Sequence, residues 1–117
     1  MNFLTSKESM VKDAYSREIS LAHDALRRRD HGVCFAHLER AHVLAQRRTL
    51  RHTHVHWLML RAGLDQRDYR EAAGQVPRMI ASVLFSRIWI PIGNTGRARV
   101  NALKPMRVPD DLRDLVS

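Results

Sequence analysis

Five of the seven histidines of this chain lie between His37 and Leu60, in the sequence HLERAHVLAQRRTLRHTHVHWLML. His52 and His56 are four residues apart, so on a helix their side chains lie one turn from each other on the same face. This is the spacing at which two imidazoles commonly share one metal ion. The stretch therefore predicts a metal site that is built on a helix.

Two further histidines lie on the preceding segment and are also candidate ligands. If the two segments form an antiparallel hairpin with a short loop at residues 47–50, His42 falls close to His52, and His37 falls close to His56. His37 and His42 are five residues apart, however, and five residues turn a helix by roughly 500°. Their side chains therefore diverge by about 140°, so both can serve as ligands only if the helix is locally distorted.

Imidazole ligands suit a divalent transition metal such as zinc, copper, nickel or cobalt, and the sequence does not choose among these. Glu39 is a candidate ligand, or an acceptor that orients an imidazole. Arg47, Arg48 and Arg51 crowd the same end of the predicted hairpin, and their positive charge disfavours a bound cation. The same arginines would instead suit contact with a partner or with an anion, such as phosphate or a metal oxyanion.

The length and composition limit the classes of protein to which this chain can belong. A chain of 117 residues predicts a single helical domain over residues 1–117, large enough to bury a core without disulfides. No apolar run reaches the roughly 20 residues of a membrane span, and the first ten residues lack the apolar segment of a signal peptide. The single cysteine, Cys34, cannot form an internal disulfide, and we therefore expect a cytoplasmic protein.

The net charge of +8 comes mostly from arginine and is unevenly distributed. Such a basic surface could meet nucleic acid or an acidic partner. The few aromatic residues lie at helical core spacing, and no helix-turn-helix or zinc-finger pattern is visible, so we do not expect nucleic-acid binding. No nucleophile with a base, carboxylate pair or cofactor fingerprint is recognisable. We therefore do not expect an enzyme, although a metal with an open coordination position can be catalytic.

The apolar periodicity predicts an all-α fold with four main helices, which span about Ser6 to Arg29, Val33 to Gln46, Thr49 or Arg51 to Gln66, and Arg70 to Arg87. Gly32 is expected to end the first helix, and Pro77 to kink or break the fourth. From Trp89 onwards glycine and proline predict an extended tail. Residues 91–117 should pack back on the hairpins formed by residues 1–90, and a short helix should run from Pro109 or Asp110 to Val116.

An internal repeat supports this arrangement, because residues 25–41 align without gaps on residues 63–79 at a constant offset. The matched residues are Leu26 with Leu64, Arg29 with Arg67, Asp30 with Asp68, and Arg40 with Arg78. The pattern predicts two stacked helical hairpins, similar to a tetratricopeptide pair. Such a stack presents a face for a peptide or for a second copy of the chain. The alternative function is therefore a non-catalytic interaction module with structural histidines.

The loop Gly93-Asn94-Thr95-Gly96 offers backbone N–H groups that could cradle an anion. It lacks the lysine and hydroxyl residue that follow in a phosphate-binding loop. A tight turn that lets the tail fold back is the favoured interpretation.

Six short motifs, in this order, resemble the bacterial domain-of-unknown-function family 3703. They are HLERAH at 37–42, the His52/His56 pair leading into WLMLR at 57–61, RDYRE at 67–71, GQ at 74–75, PIGNTG at 91–96 and PMRVPDDL at 105–112. The resemblance covers nearly the whole chain. It implies a small cytoplasmic protein without an established activity, from a family whose genes often lie beside heavy-metal resistance genes.

Carried over to this sequence, the family pattern emphasises His37, His42, His52 and His56. One departure lies in the loop, where the family tends to read GNTGGANV and this chain reads GNTGRARV, with Arg97 and Arg99. The resemblance thus favours a metal-binding protein or a metal-resistance accessory protein.

Overall fold

The computed structural model describes residues 3–85, 93–101 and 103–116. It contains the helices α1 (Phe3–Arg27), α2 (His31–Ala45), α3 (Thr49–Asp65) and α4 (Tyr69–Phe85). A 3-10 turn (Asp110–Leu112) then leads into the short helix α5 (Arg113–Val116). These ranges hold no strand, and the predicted all-α fold with four main helices and a short C-terminal helix is confirmed. The predicted start of the extended tail, from Trp89 to residue 92, lies outside the described residues.

The turn between α1 and α2 is closed by a residue in the left-handed conformation. Arg29 has a φ of 58°, and its amide donates to the carbonyl of Leu26 at 2.9 Å. The next amide, that of Asp30, donates to the carbonyl of Ala25 at 2.9 Å. These two bonds satisfy carbonyls that the end of a helix leaves free. The Asp30 carboxylate then caps α2 by accepting from the amide of Val33 at 3.2 Å.

The turn between α3 and α4 repeats this geometry. Arg67 has a φ of 61°, and its amide donates to the carbonyl of Leu64 at 3.1 Å. The amide of Asp68 donates to the carbonyl of Gly63 at 2.8 Å, and its carboxylate accepts from the amide of Glu71 at 3.1 Å. The internal repeat seen in the sequence therefore corresponds to a repeated helix–turn–helix backbone. Its assignment to the tetratricopeptide class stays a prediction.

Some predicted features of the helices differ from the structure. The first helix begins at Phe3, and it ends before Gly32, which lies in the first turn of α2. Gly32 is not needed to end α1, because Arg29 supplies the left-handed residue. Pro77 lies inside α4, which continues through it. The carbonyl that a proline leaves unpaired is that of residue 73, and both positions are exposed to solvent, which can hydrate the freed group.

Each main helix packs against the next one along the chain, α1 on α2, α2 on α3 and α3 on α4. The connections are only a few residues long, so neighbouring helices run antiparallel. The core lies among α1, α2 and α3, and its members include Tyr15, Phe35, Leu38, Leu44, Val55, Leu58 and Met59. Helices α3 and α4 approach closely, because a Cβ added at Gly63 would lie 3.2 Å from the amide nitrogen of Ala72.

The C-terminal segment packs back onto this core. Leu112 is buried within the core cluster, and Val108 packs against it. Arg40 on α2 donates to Asp111 and also to the buried carboxylate of Glu18, at 2.8 Å. Among the described helices, none has the length and apolarity that crossing a bilayer requires.

We expect Arg67→Gly to stabilise the protein. A non-glycine residue at positive φ costs roughly 1–2 kcal/mol, and the glycine variant removes this cost. Glycine also makes the unfolded chain more flexible, which offsets part of the gain and leaves a net stabilisation of about 0.5–1 kcal/mol. Thermal unfolding measures the change. The matched control is Arg61→Gly, an exposed position inside α3, which should destabilise by about 1 kcal/mol. A lower melting temperature for both variants would contradict the prediction.

Candidate metal centre

Three histidines from two helices meet in the interior of the protein. His42 lies in the last turn of α2, and His52 and His56 lie one turn apart on α3. The connection between the two helices is short, which brings the end of α2 beside the first turns of α3. All three side chains are buried.

The imidazole Nε2 atoms of the three histidines converge on one point. His42 Nε2 lies 3.1 Å from His52 Nε2 and 3.2 Å from His56 Nε2. One potential ligand atom from each of the three residues lies within 4.8 Å of the other two. A tetrahedral metal with bonds of about 2.0–2.1 Å to nitrogen holds its ligand atoms about 3.3 Å apart. The two Nε2 separations are therefore close to those of ligands on one ion.

Hydrogen bonds fix the protonation of two of these rings. His42 Nδ1 lies 2.7 Å from the carbonyl oxygen of Asn94, and because a carbonyl only accepts, Nδ1 carries the proton. His56 Nδ1 lies 2.6 Å from Oε1 of Gln75. The amide of Gln75 is oriented by its nitrogen, which donates to Glu71 at 2.5 Å and to the carbonyl of Gly96 at 3.0 Å. His56 Nδ1 is therefore also the protonated nitrogen.

The neutral tautomers leave two lone pairs facing each other. Because His42 and His56 carry their protons on Nδ1, their Nε2 atoms have no hydrogen, yet these atoms lie 3.2 Å apart. His52 can donate its Nε2 proton to His42, but its own Nδ1 is then a buried nitrogen without a partner. A positive ion at the centre would satisfy all three Nε2 atoms at once.

The segment of residues 93–98 covers the cluster. Gly93 and Gly96 have φ values of 83° and 82°, which favour glycine. A Cβ at Gly96 would lie 2.8 Å from His42 Nε2, so only glycine allows the backbone to approach the imidazole this closely. Asn94 holds the segment in shape, because its side chain donates to the carbonyls of Asn101 and Lys104, both at 2.7 Å, and accepts from the amide of Gly96 at 2.9 Å.

A buried ion pair anchors the same segment on α4. The carboxylate of Glu71 is fully buried, and it accepts from the Arg97 guanidinium and from the amide of Ala98, the latter at 2.9 Å. Arg97 also donates to Glu39 at 3.2 Å and lies over the ring of Phe35, 4.0 Å from its centroid. Arg97 thus neutralises the carboxylate that orients Gln75.

The positive charge of Arg78 acts on the cluster. Its guanidinium donates to the carbonyls of Gly74 at 3.0 Å and Val100 at 2.7 Å, and this positions α4 against the tail. Its charge lowers the pKa values of His42 and His56.

Burial lowers the pKa values of all three histidines and keeps the imidazoles neutral. Loss of hydration is the largest cause in each case. It lowers the pKa of His52 to about 3 and that of His56 to about 4, and it holds the pKa of His42 well below its usual range. Neutral imidazole is the form that binds a metal, so the cluster is ready to bind one without first losing a proton.

His37 and Glu39 lie apart from the three-histidine cluster. His37 Nδ1 bonds instead to the carboxylate of Glu18 at 2.6 Å, because the five-residue spacing from His42 turns its side chain towards α1. Glu39 pairs with Arg97. His42, and not His37, lies next to His56.

The three arginines that the sequence placed near the site have other surroundings. Arg48 pairs with Glu8, and Arg51 lies over the ring of Tyr15, 5.9 Å from its centroid. Arg47 is exposed. None of these arginines contributes to the lowered pKa values of the cluster, which removes the sequence-based objection to a cation there.

Sequence reasoning interpreted Asn94 only as part of the loop of residues 93–96, and it assigned no role to Gln75 or Glu71. The backbone carbonyl of Asn94 has no sequence signature. A signal was available for the other two, because Glu71 and Gln75 are four residues apart on α4 and are both polar at buried positions.

A family model described as "Protein of unknown function (DUF3703)" matches residues 9–116, which is nearly the whole chain. No curated protein and no solved structure matches the chain. The family description carries no activity, so a function must be argued from the site.

We expect the metal-free protein to lose stability as the pH falls below 6.5. The three histidines have lowered pKa values in the folded state, so their contribution is complete above the unfolded value of about 6.5 and is lost as the pH falls towards 3–4. Urea unfolding at pH 7.5 and 5.5 measures this loss. Each histidine changes the free energy of unfolding by at most about 1.4 kcal/mol per pH unit. His52→Leu should therefore reduce the loss of unfolding free energy between the two pH values by about that amount. Equal stability at both pH values would contradict the assignment.

Proposed function

We propose that this chain, which belongs to the DUF3703 family of proteins of unknown function, binds a transition-metal ion through His42, His52 and His56. The observation that carries the proposal is the convergence of three buried Nε2 atoms, two of which have no proton. Imidazole ligands suit zinc, copper, nickel or cobalt. His37, the fourth candidate ligand from the sequence, is not included because it bonds to Glu18.

The surroundings of the cluster support this function. A metal-bound histidine usually donates its second ring nitrogen to a carbonyl or carboxylate group, and this orients the ring. His42 and His56 both have such an acceptor, in Asn94 and Gln75. His52 has none, which makes it the most weakly oriented of the three rings. We further propose that the protein serves metal handling or resistance in the cell as a non-catalytic accessory.

Metal binding should appear as a rise in melting temperature. At a free-ion concentration of about 100 times Kd, binding stabilises by about 2.7 kcal/mol, which is on the order of 10 °C for a chain of this size. Chelator-stripped protein is unfolded alone and with zinc, copper, nickel or cobalt. The His52→Leu variant should lose the rise, and it should fold at least as well without metal, because the substitution removes a buried nitrogen that lacks a partner.

His37→Gln is the matched control, because it removes a histidine outside the cluster and retains a hydrogen-bond donor for Glu18. This variant should keep the full rise with metal. An equal loss in both variants would show that the effect is not specific to the three-histidine cluster, and no rise with any metal would overturn the proposal.

One observation favours a second candidate function, that of an interaction module. Val76, Ile80, Val83 and Leu84 share one face of α4 and are between 48% and 60% exposed. Contiguous exposed apolar patches commonly mark protein interfaces. The described residues of this face carry no charge, so two copies of this basic chain can meet at them without bringing like charges together. We therefore propose a second copy of the chain as its occupant.

Sedimentation velocity tests this second candidate. The wild-type chain should dimerise at micromolar concentration, and Ile80→Glu should make it monomeric, because a charge at the centre of an apolar interface must lose its hydration. Leu50→Glu is the matched control, since Leu50 is an apolar residue of α3 that is 86% exposed. A wild-type monomer, or an equal effect of both substitutions, would exclude the dimer.

A further inference from the structure

We propose that the ion held by His42, His52 and His56 is monovalent copper, Cu(I), bound by three neutral nitrogen ligands. This inference rests on the metal-binding function proposed above and narrows it to one ion. Three features of the structure point to Cu(I): the charge of the ligand set, the charges around it, and the space left for a fourth ligand.

The ligand set contains no anion. Within the described residues, the group that can hold a metal consists of three histidines, without cysteine, aspartate or glutamate. The residues outside the described ranges contain none of these three residue types either. The cost of burying an ion grows with the square of its charge, so a divalent ion costs about four times as much as a monovalent ion of equal size. A buried set of neutral ligands therefore favours the monovalent ion.

The surrounding charges act in the same direction. Arg78 is a cation whose field reaches His42 and His56, and a bound ion feels the same repulsion in proportion to its charge. The carboxylate of Glu71 reaches the cluster only through Gln75, and its charge is matched by Arg97. The protein thus supplies no net negative charge beside the ion.

The segment of residues 93–98, which covers the cluster, disfavours a fourth ligand on the ion. A zinc ion bound by three histidines generally takes water or hydroxide as its fourth ligand, and hydroxide would also supply the missing negative charge. Here the backbone of Gly96 closes over the His42 imidazole, so that even a Cβ at this position would lie 2.8 Å from His42 Nε2. Cu(I) has a filled d shell and accepts three ligands without a fourth. Imidazole is a ligand that serves copper.

Anaerobic titration of the full-length, metal-stripped chain tests the proposal. Cu(I) is supplied in competition with a chromophoric Cu(I) chelator, and Zn(II) and Co(II) are titrated separately. We expect one Cu(I) per chain, bound at least 100-fold more tightly than Zn(II), and no tetrahedral Co(II) absorption bands. His52→Leu should weaken Cu(I) binding at least 100-fold, and His37→Gln should leave it unchanged.

The outcomes separate this inference from the function on which it rests. Tight Zn(II) binding with tetrahedral Co(II) bands, both lost in His52→Leu, would overturn the Cu(I) assignment and retain a metal-binding function. Failure of Cu(I) to bind would overturn the Cu(I) assignment, and failure of every ion tested, including the nickel and copper of the melting experiment, would overturn both.

A second variant tests the charge argument directly. Arg78→Met removes the positive charge together with the hydrogen bonds that Arg78 donates to α4 and the tail, whereas Arg78→Lys keeps the charge and loses most of these hydrogen bonds, which makes it the control for structural effects. The affinity for Zn(II) should therefore increase relative to that for Cu(I), because a divalent ion feels twice the repulsion of a monovalent one. Arg78→Lys, which keeps the charge, should leave the ratio of the two affinities unchanged. An unchanged ratio in Arg78→Met would overturn the charge argument and the assignment with it.

Discussion

Two imidazole nitrogens without protons face each other at 3.2 Å in the interior of this protein, and much of the surrounding structure maintains that arrangement. Neither His42 nor His56 can move its proton to the shared side without breaking its bond to Asn94 or Gln75. Neither can readily become charged, because the site is buried and Arg78 is nearby. Two lone pairs that face each other in a buried site repel, so their presence identifies a place where a bound cation is the simplest source of compensation.

The two halves of the chain contribute differently to this site. Helices α2 and α3 supply the three rings, whereas α4 and the tail supply the groups that orient and cover them. Glu71 is central to the second half, because one buried carboxylate contacts Gln75, Arg97 and the amide of Ala98. The side chain that positions His56 and the segment that encloses the cluster therefore depend on the same ion pair. This coupling explains why polar residues are fully buried in a small helical protein.

Much of the fold can be predicted from the sequence, because its signals are local. The repeated arginine–aspartate turn sets both helix ends and helix starts, and the four-residue spacing places His52 and His56 on one face. The choice of His42 over His37 depends on the rotation of α2, which the sequence constrained only through their five-residue spacing. The position of residues 93–98 over the cluster could not be predicted. The group of Asn94 that accepts from His42 is a backbone carbonyl, which every residue possesses. The sequence-based argument about charge considered only arginines that are near the histidines in sequence, whereas Arg78 approaches the site from another helix.

The residues that build the site are separated by very different lengths of chain, and this affects the order in which the site assembles. His42 and His52 are 10 residues apart, whereas His42 and Asn94 are 52 residues apart. The entropic cost of closing a chain segment rises with the logarithm of its length, so the longer closure costs about 1.5 kcal/mol more. The three rings thus belong to a local hairpin that can form early, and the covering segment closes later and can open first. A short-lived state with the ligands assembled and the cover withdrawn would let an ion reach the interior without unfolding the helices.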